Sequence, residues 1–374
     1  MHDTTVRVPR DTRRSSRPGK LTRPFATMCV VAMTLLATAC GGGAASEVAG
    51  GDEGGGGLSL TQVRLADDNG DYHDQIVYRT AEARYWPELG FTEPADVVVS
   101  SDYIAGLVGG SVWIGQGESD AIWGAMAEGS VPLRFVGVHM DIENWILGIR
   151  EGVDPDNLEG LRITGGEPGT RNVTTGEKMV EELGVDPGSM EWVSVPGGSE
   201  ARFRALIGGQ VDVAVLQADL IEPLEEEGGT LIYNEQKEVP QAGWVVTAET
   251  MEQNRDAVCA FIEGQLQTRQ WISEGDDHTA NLDEMVEIGR EFDLEPSDTD
   301  LAAWSEFAGT SLALDGGAGA ETFEEWNVDM AGLGVVPEGF DWTAHTDFSC
   351  LWEAQEKLGL EPNPNPDEMP SSAG

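Results

Sequence analysis

Short apolar runs alternate with longer amphipathic segments along most of the chain, which predicts alternating β-strands and α-helices. The short runs predict strands at residues 62–66, 96–99, 112–114, 133–138, 145–150, 161–164, 191–195, 211–215 and 243–246. The longer segments predict helices at residues 74–89, 102–108, 120–127, 172–183, 199–207 and 219–226. After the last strand, the chain is predicted to be helical up to residue 360. Such alternation is typical of α/β folds.

One segment of this pattern occurs twice, 99 residues apart. It reads LVGGSVWIGQGESD from Leu107 to Asp120 and LIGGQVDVAVLQAD from Leu206 to Asp219. Each copy predicts a helix end, a Gly-Gly turn, a short apolar strand and a polar loop that opens the next helix. In open α/β sheets such loops lie at the carboxyl ends of the strands, where ligands bind. The repeat therefore predicts two lobes that face one cleft.

The first 39 residues have the pattern of an export signal. Seven basic residues fall within residues 1–24, and the apolar run 25–39 is shorter than the roughly 20 residues that a membrane span needs. The run ends in LATAC, which resembles a bacterial lipobox and implies that Cys40 is lipidated after cleavage. A plain secretory signal is the alternative, and Arg13-Arg14 leave a twin-arginine route open. The Gly-rich residues 40–57 are predicted to be a flexible tether.

Acidic residues dominate the charge of the chain. It has 67 Asp and Glu against 22 Lys and Arg, and removing the leader with its two acidic and seven basic residues leaves a net charge of −50. Phosphate contacts require Lys and Arg, so this composition excludes nucleic-acid binding. We interpret the charge as a solvated surface suited to a salt-rich medium, where ions screen self-repulsion.

Cleavage removes Cys29 and the lipid occupies Cys40, so the folded part of the chain keeps two cysteines, Cys259 and Cys350. An even pair in an oxidising compartment favours a disulfide, and two separate buried thiols are the alternative. The five histidines are scattered and no Cys-x-x-Cys occurs, so we predict no metal site. The sequence also contains no motif for nucleophilic catalysis or for phosphate or dinucleotide binding, so we predict no cofactor and no catalytic residue.

Four motifs follow one another in the order VWIG (112–115), VPL (131–133), NLEGLRI (157–163) and ALIGGQVDVA (205–214). This order resembles the solute-binding proteins of ABC importers, in the branch that includes taurine, alkanesulfonate, nitrate and thiamine-precursor receptors. The resemblance covers residues 60–275 and implies a two-lobe α/β fold of the periplasmic-binding-protein type II, with hinge strands and a C-terminal helical segment. It implies that lobe I consists of residues 58–147 and 245–360 and lobe II of residues 148–244. The composition of residues 361–374, rich in Pro, Asn and Ser, predicts a disordered tail.

In such a fold the cleft is lined by strand-to-helix loops, whose helix N-termini present unpaired N–H groups. From lobe I the candidate ligand-binding residues are Asp68, Asn69, Tyr72, Ser101, Asp102, Gly117, Glu118, Ser119 and Trp123. From lobe II they are Glu167, Gly169, Thr170, Arg171, Asn172, Gln217 and Asp219. Tyr72 and Trp123 are expected to stack on a flat ligand.

Some of these residues have a structural alternative. Asp102, Asp120 and Asp219 stand where helix caps are preferred. Arg171 has the chemistry to clamp a carboxylate or sulfonate, and an ion pair with a surface acid is the alternative. Glu118 would repel an anion in a closed cleft, which favours a neutral or cationic organic ligand.

The sequence therefore predicts a monomeric extracytoplasmic lipoprotein that binds a small organic solute between its lobes and delivers it to an ABC permease. One alternative is a lipid-anchored sensory receptor for a small molecule. A second alternative is an enzyme like the pyrimidine-precursor synthase of the same fold family, which requires a Cys-rich iron motif that the sequence does not contain.

Overall fold

Two five-stranded sheets form the framework of the chain in the computed structural model, which describes residues 57–370 apart from 69, 169 and 235. Residues 1–56, which hold the predicted signal peptide, Cys40 and nearly all of the tether, lie outside the described residues, as do the side chains of residues 219, 299 and 306. The strands are β1 (Arg64–Asp67), β2 (Asp96–Val99), β3 (Ile114–Glu118), β4 (Leu133–Glu143), β5 (Trp145–Ile149), β6 (Arg162–Thr164), β7 (Glu191–Trp192), β8 (Val213–Gln217), β9 (Thr230–Tyr233) and β10 (Lys237–Thr247).

Helices cover both sheets, and half of them follow the last strand. They are α1 (Tyr72–Arg84), α2 (Tyr103–Gly109), α3 (Ser119–Glu128), α4 (Arg171–Glu182), α5 (Ser199–Ile207), α6 (Ile221–Glu226), α7 (Ala248–Gln253), α8 (Arg255–Ile272), α9 (Leu282–Glu291), α10 (Asp298–Glu306), α11 (Ala320–Gly332) and α12 (Ser349–Leu358). The predicted alternation of strands and helices is thus confirmed, with end positions that differ by a few residues.

The two sheets have the same internal plan. The first has the order β2-β1-β3-β10-β4 and the second β7-β6-β8-β5-β9. In each sheet the first three strands run parallel and the fourth is antiparallel to the third. The 99-residue repeat supplies the third strand of both sheets, β3 and β8, after helices that end near Gly110 and Gly209. These glycines have φ of +71° and +70°, which suits glycine at a helix end. The α/β fold with two lobes, one around each sheet, is confirmed.

The chain crosses between the lobes at Asn144, and it returns at residues 234–236, of which 235 is not described. All of β5 pairs with β8 in lobe II, and β10 pairs with β4 in lobe I from Lys237 onward. The predicted boundary at 147/148 therefore falls inside β5, a strand of lobe II, and the predicted boundary at 244/245 falls inside β10, a strand of lobe I. The first half of β10 was not predicted because Pro240 interrupts the apolar pattern. This proline lies at an irregularity of the β10–β4 register, where the N–H group that proline lacks is not needed for pairing.

The helices after β10 pack on lobe I. Phe261 of α8 is buried among Trp86, Trp113 and Trp244, with ring centroids 5.4–6.0 Å apart. A disulfide joins Cys259 on α8 to Cys350 on α12, across a separation of 91 residues. Large aromatic groups buried in this way contribute strongly to a core, so the C-terminal segment is part of the core of lobe I.

Residues 361–370 differ from the expectation of a disordered tail. Trp352 donates a hydrogen bond from Nε1 to the Pro364 carbonyl (2.7 Å), and Gln355 and Asn363 exchange two more. Asn363 Nδ2 also donates to Asp315 (3.0 Å). A composition rich in Pro and Asn indicates a polar segment, but here hydrogen bonds to Trp352, Gln355 and Asp315 hold Asn363 and Pro364 on lobe I.

A buried polar triad ties α1 to the C-terminal helices. His139 of β4 contacts Asp74 of α1 through Nε2 (2.8 Å) and Arg269 of α8 through Nδ1 (2.8 Å). Arginine can only donate, so Nδ1 is an acceptor and the Nε2–H donates to Asp74. Burial and the neighbouring Arg269 lower the pKa of His139, although Asp74 opposes this. The histidine is therefore neutral, and the triad fixes the helix that follows the first cleft loop.

Candidate functional site

The strand-end loops of lobe I bring acidic groups together. Asp68, after β1, accepts a hydrogen bond from the backbone N–H of Glu118 at the end of β3 (2.9 Å). Burial raises the pKa of Asp68, and nearby Asp74 adds to the rise, although the hydrogen bond opposes it. A carboxylate of the protein itself thus takes an N–H group at the start of α3, where an anionic ligand would otherwise bind. Asn69, the next predicted residue, lies outside the described residues.

Gly117 and Glu118 belong to β3, and the loop predicted for them is incorrect. They pair with Gly243 and Ala242 of β10, which extends the strand beyond its apolar part. A β carbon at Gly117 would lie 2.5 Å from the ring of Tyr103, the first residue of α2. Tyr103 was not predicted as part of this wall, but glycine inside a strand indicates that another group approaches closely.

Three more predicted residues lie at the helix starts of lobe I. Ser101 and Asp102 are exposed ahead of α2, and the Asp102 side chain makes no capping hydrogen bond. Ser119, the first residue of α3, is fully buried, and its Oγ has no hydrogen-bond partner among the residues that the structure describes. Asp120 follows and accepts from the Ala121 N–H (2.7 Å), so it is occupied within the first turn of α3.

Trp123 does not form a stacking wall, which corrects the prediction for this residue, whereas Tyr72 is only partly buried. Trp123 is fully buried, with its ring 5.2 Å from Phe135 and 6.2 Å from Phe323. Tyr72 packs against the cluster around Trp304, where α1 meets the C-terminal helices. Both residues stand at helix positions whose inward face the sequence alone did not identify, because the helices that cover them come 200 residues later in the chain.

Arg171 is the predicted residue that links the two lobes. It is the first residue of α4 in lobe II, and its guanidinium reaches Glu143 (2.7 Å) and Glu118 (3.7 Å) of lobe I. The same group lies 4.5 Å from the ring centre of Trp326 on α11, and the arginine side chain is 13 % exposed. In this structure Arg171 therefore forms the ion pair that was the alternative to a ligand clamp.

Glu118 is the second acidic group of lobe I beside this arginine. Burial between the lobes raises the pKa of Glu118 to about 7, the positive charge of Arg171 opposes the rise, and Asp120 and Asp68 add to it. Its side chain is nevertheless 47 % exposed, so solvent reaches the carboxyl group. Glu118 thus lies among the charged groups of Arg171, Asp120 and Asp68 and is accessible to a solute, as expected of a residue in an open cleft.

The remaining predicted residues of lobe II surround the start of α4 and the end of β8. Thr170 occupies the N-cap of α4 and donates through Oγ1 to the Glu167 carbonyl (2.8 Å). The Asn172 carbonyl abuts Gly165, where a β carbon would be 2.7 Å away. Gln217 is exposed at the end of β8. Gly169 and the side chain of Asp219 lie outside the described residues.

Arg202 of α5 is a basic group near these loops that sequence reasoning missed. It is 1 % exposed and donates to the carbonyls of Val215 (2.7 Å) and Gly197 (3.3 Å). Its Nη2 has no partner among the described residues, and burial lowers its pKa. The sequence feature that could have identified Arg202 is its position four residues before Leu206. Residues four apart lie on the same face of a helix, here the buried face.

An interlobe groove of about 620 Å³ lies between α4 of lobe II and α11 of lobe I. Its floor includes Tyr233 and Lys237–Val239, at the returning crossing. Of the predicted site residues, Arg171 lines this groove. The side formed by α11 was missed, because that helix lies beyond the part of the sequence with a recognisable pattern. The full lining is Glu143, Arg171, Thr174, Thr175, Lys178, Met179, Tyr233, Lys237, Glu238, Val239, Glu321, Thr322, Glu324, Glu325, Trp326, Val328, Asp329, Met330 and Leu333.

The fold of this chain is similar to that of several solved proteins. The aliphatic sulphonate-binding protein SsuA of Escherichia coli aligns with a TM-score of 0.57 and 13 % identity, over 77 % of this chain and 97 % of that chain. The nitrate-binding protein NrtA of Synechocystis PCC 6803 aligns with a TM-score of 0.57 and 14 % identity, over 85 % and 93 %. A Candida albicans protein of the generic periplasmic-binding-protein fold aligns at 0.51 and 13 %, over 78 % and 96 %.

This chain has the periplasmic-binding-protein fold. At these identities the likeness establishes the fold and leaves the ligand open. No protein-family model and no curated protein matches the sequence. The described part of this periplasmic-binding-protein fold contains no group of three or more His, Cys, Asp or Glu side chains arranged to hold a metal ion. None of its described helices combines the length and apolar character that a membrane span requires.

Proposed function

We propose that this protein is the solute-binding component of an ABC importer, which captures a small organic solute between its lobes and delivers it to a permease. The observation that carries the proposal is the interlobe groove of about 620 Å³, which both lobes line. Small-molecule sites typically measure about 300–1,000 Å³. A solute that contacts both lobes stabilises their closed arrangement, because those contacts are absent when the lobes separate. The proposal assigns no catalytic step and no cofactor.

The charges of lobe I support a neutral or cationic solute. Asp68 accepts a hydrogen bond from the backbone N–H of Glu118, and the Glu118 side chain lies at the interlobe face. An anion at the strand-end loops, where Arg171 of the groove reaches Glu118, would meet these acidic groups at close range, with weak screening in a closed cleft. The sulphonate- and nitrate-binding proteins that share the fold are named for anions, so we expect this chain to differ from them in ligand charge.

A thermal-shift screen of the secreted, unlipidated protein tests the proposed function. The panel contains amines, pyrimidines, sulfonates and nitrate. A ligand at one hundred times its dissociation constant stabilises the folded state by about 2.7 kcal/mol, which raises the unfolding midpoint measurably. We expect an amine or a neutral solute to raise the midpoint. Failure of every class to do so would contradict a solute-binding role.

We also propose that lipidation of Cys40 anchors the mature protein to the outer face of the cell membrane. The support is the LATAC sequence at the end of a short apolar run. Cys40→Ala is expected to release the exported protein into the soluble fraction, and Cys29→Ala, in the same leader, is the matched control. Membrane association of a cleaved Cys40→Ala protein would refute the anchor.

Delivery to a permease is distinguished from sensing by uptake. We expect a strain without this protein to lose uptake of the identified solute, and a strain with the wild-type protein restored to regain it. Retained uptake together with a lost transcriptional response would favour the sensory receptor. A monomer is expected in sedimentation experiments, with and without solute.

A further inference from the structure

Carboxylates outnumber basic groups around the interlobe groove. Six acidic residues and three basic residues line it. Each basic residue is already paired with a carboxylate: Arg171 with Glu143, Lys178 with Asp329, and Lys237 with Glu182. The lining therefore keeps a surplus of negative charge that the basic groups around it do not neutralise.

The surplus charge is concentrated on α11 and on β10. Within the described part of the chain, neither Glu321 nor Glu325 of α11 forms an ion pair. Glu238 accepts a hydrogen bond from the Gly319 N–H (3.0 Å), and Glu324 accepts one from the Trp342 indole (3.0 Å), both neutral donors. Four carboxylates are thus available to a positively charged group in the groove.

Aromatic and apolar side chains also line the groove. Trp326 is 3 % exposed, and its Nε1 donor has no acceptor among the described residues. Met179, Val239 and Leu333 supply apolar contact around it. The Arg171 guanidinium rests 4.5 Å from the indole ring centre, so the protein already holds one cation on this ring beside a carboxylate.

We propose that the groove between α4 and α11 binds an organic cation that also carries a hydrogen-bond acceptor. This inference rests on the proposed solute-binding function and adds the class of the solute and its place. The ammonium or amidinium group contacts the α11 carboxylates, its carbon atoms cover the apolar surface, and an oxygen accepts from Trp326 Nε1. An anion of the same size is repelled by the same carboxylates.

Choline, 3,3-dimethylbutan-1-ol and isethionate test the charge requirement. The first two have the same shape and differ in one positive charge, and the third replaces the cation by a sulfonate. Titration calorimetry on the exported protein is expected to show that choline binds at least about tenfold more tightly than the neutral alcohol, with no heat from isethionate. Equal affinity of choline and the alcohol, or no binding of choline, would overturn the inference. If choline does not bind but another solute from the thermal-shift panel does, the proposed solute-binding function stands and the cation inference falls. If no solute binds, both the function and the inference fall.

Paired variants locate the site. Glu321→Gln combined with Glu325→Gln is expected to weaken choline binding about three- to tenfold, because two carboxylates of the groove lose their charge. Glu338→Gln combined with Glu356→Gln makes the same charge change at exposed positions outside the lining and is expected to leave affinity unchanged. Equal weakening by both pairs would show a general charge effect and overturn the site. Loss of choline binding in Glu118→Gln alone would place the cation at the strand-end loops instead.

The acceptor requirement has its own control. Trp326→Phe keeps an aromatic ring, although a smaller one, and removes the N–H donor. We expect it to weaken binding of choline and to leave binding of tetramethylammonium, which has no oxygen, unchanged. Equal losses for both cations would show that the indole donor has no part in recognition, and circular dichroism confirms that the variant is folded.

Discussion

The ion pair between Arg171 on α4 and Glu143 on β4 links the two lobes, and a double-mutant cycle measures its strength. The side chains are 13 % and 12 % exposed, and their nitrogen–oxygen distance is 2.7 Å. An exposed pair contributes about 0–1 kcal/mol, whereas removing one partner of a fully buried pair costs about 3–5 kcal/mol. Because this pair is nearly but not fully buried, we expect a coupling free energy of about 1–3 kcal/mol.

The cycle consists of Arg171→Met, Glu143→Gln and the double variant. Spin labels on Glu128 of lobe I and Glu226 of lobe II, both exposed, report the separation of the lobes. Each single variant is expected to shift the distance distribution towards larger separation, and the double variant is expected to add little to either. Urea unfolding gives the free energies for the cycle. A coupling below about 0.5 kcal/mol, or an unchanged distance distribution, would refute the view that this pair holds the lobes together.

Unfolding experiments check four other groups. Since burial holds the pKa of Glu118 at about 7, above its ordinary 4.5, the folded state retains a proton that the unfolded state releases, and stability falls as the pH rises between these values. Glu118→Gln should remove that slope from thermal scans, and a persistent slope would assign it elsewhere. Hydrogen bonds from two arginines lower the pKa of Asp212 to about 2, so its contribution is present above pH 3.8 and is lost towards pH 2. Asp212→Asn should therefore destabilise the protein at pH 7 but not at pH 2. Denatured, unreduced protein should yield no thiols from Cys259 and Cys350, and removing the disulfide should cost about 2–5 kcal/mol in urea. Trp123→Ala should cost about 3–5 kcal/mol, and a loss below 1 kcal/mol would contradict its place in the core.

The fold was predictable because both sheets consist largely of short apolar strands separated by helices, and because one strand-helix unit occurs twice. β9 and the first half of β10 were not predicted. β9 is four residues long and only partly buried, and Pro240 interrupts β10, so neither produces a clear apolar run. Local pattern predicts a strand when burial is continuous, and the crossings between the lobes lack that continuity.

The candidate site was predictable only in part. The rule that ligands bind at strand ends identified the loops, including Arg171, whose neighbours could not be known from the sequence. The same rule gave Trp123 a role that packing excludes, since Phe323, more than 190 residues later, covers its ring. Arg202 and the α11 side of the groove depend on contacts between distant segments, which leave no periodic signal in one sequence.

The position of β10 in the first sheet has a consequence for the order in which the chain folds. β4 pairs with β10, and β10 also pairs with β3, yet the 93 residues from 144 to 236 lie between the end of β4 and the start of β10. At about 5–20 residues per second, a ribosome needs roughly 5–20 s to synthesise that interval. All strands of lobe II fall within it, so the second lobe can finish its sheet while β4 still has no neighbour. A fragment that ends at residue 233 and is released from the ribosome should therefore protect the amides of β8 from hydrogen exchange and leave those of β4 open.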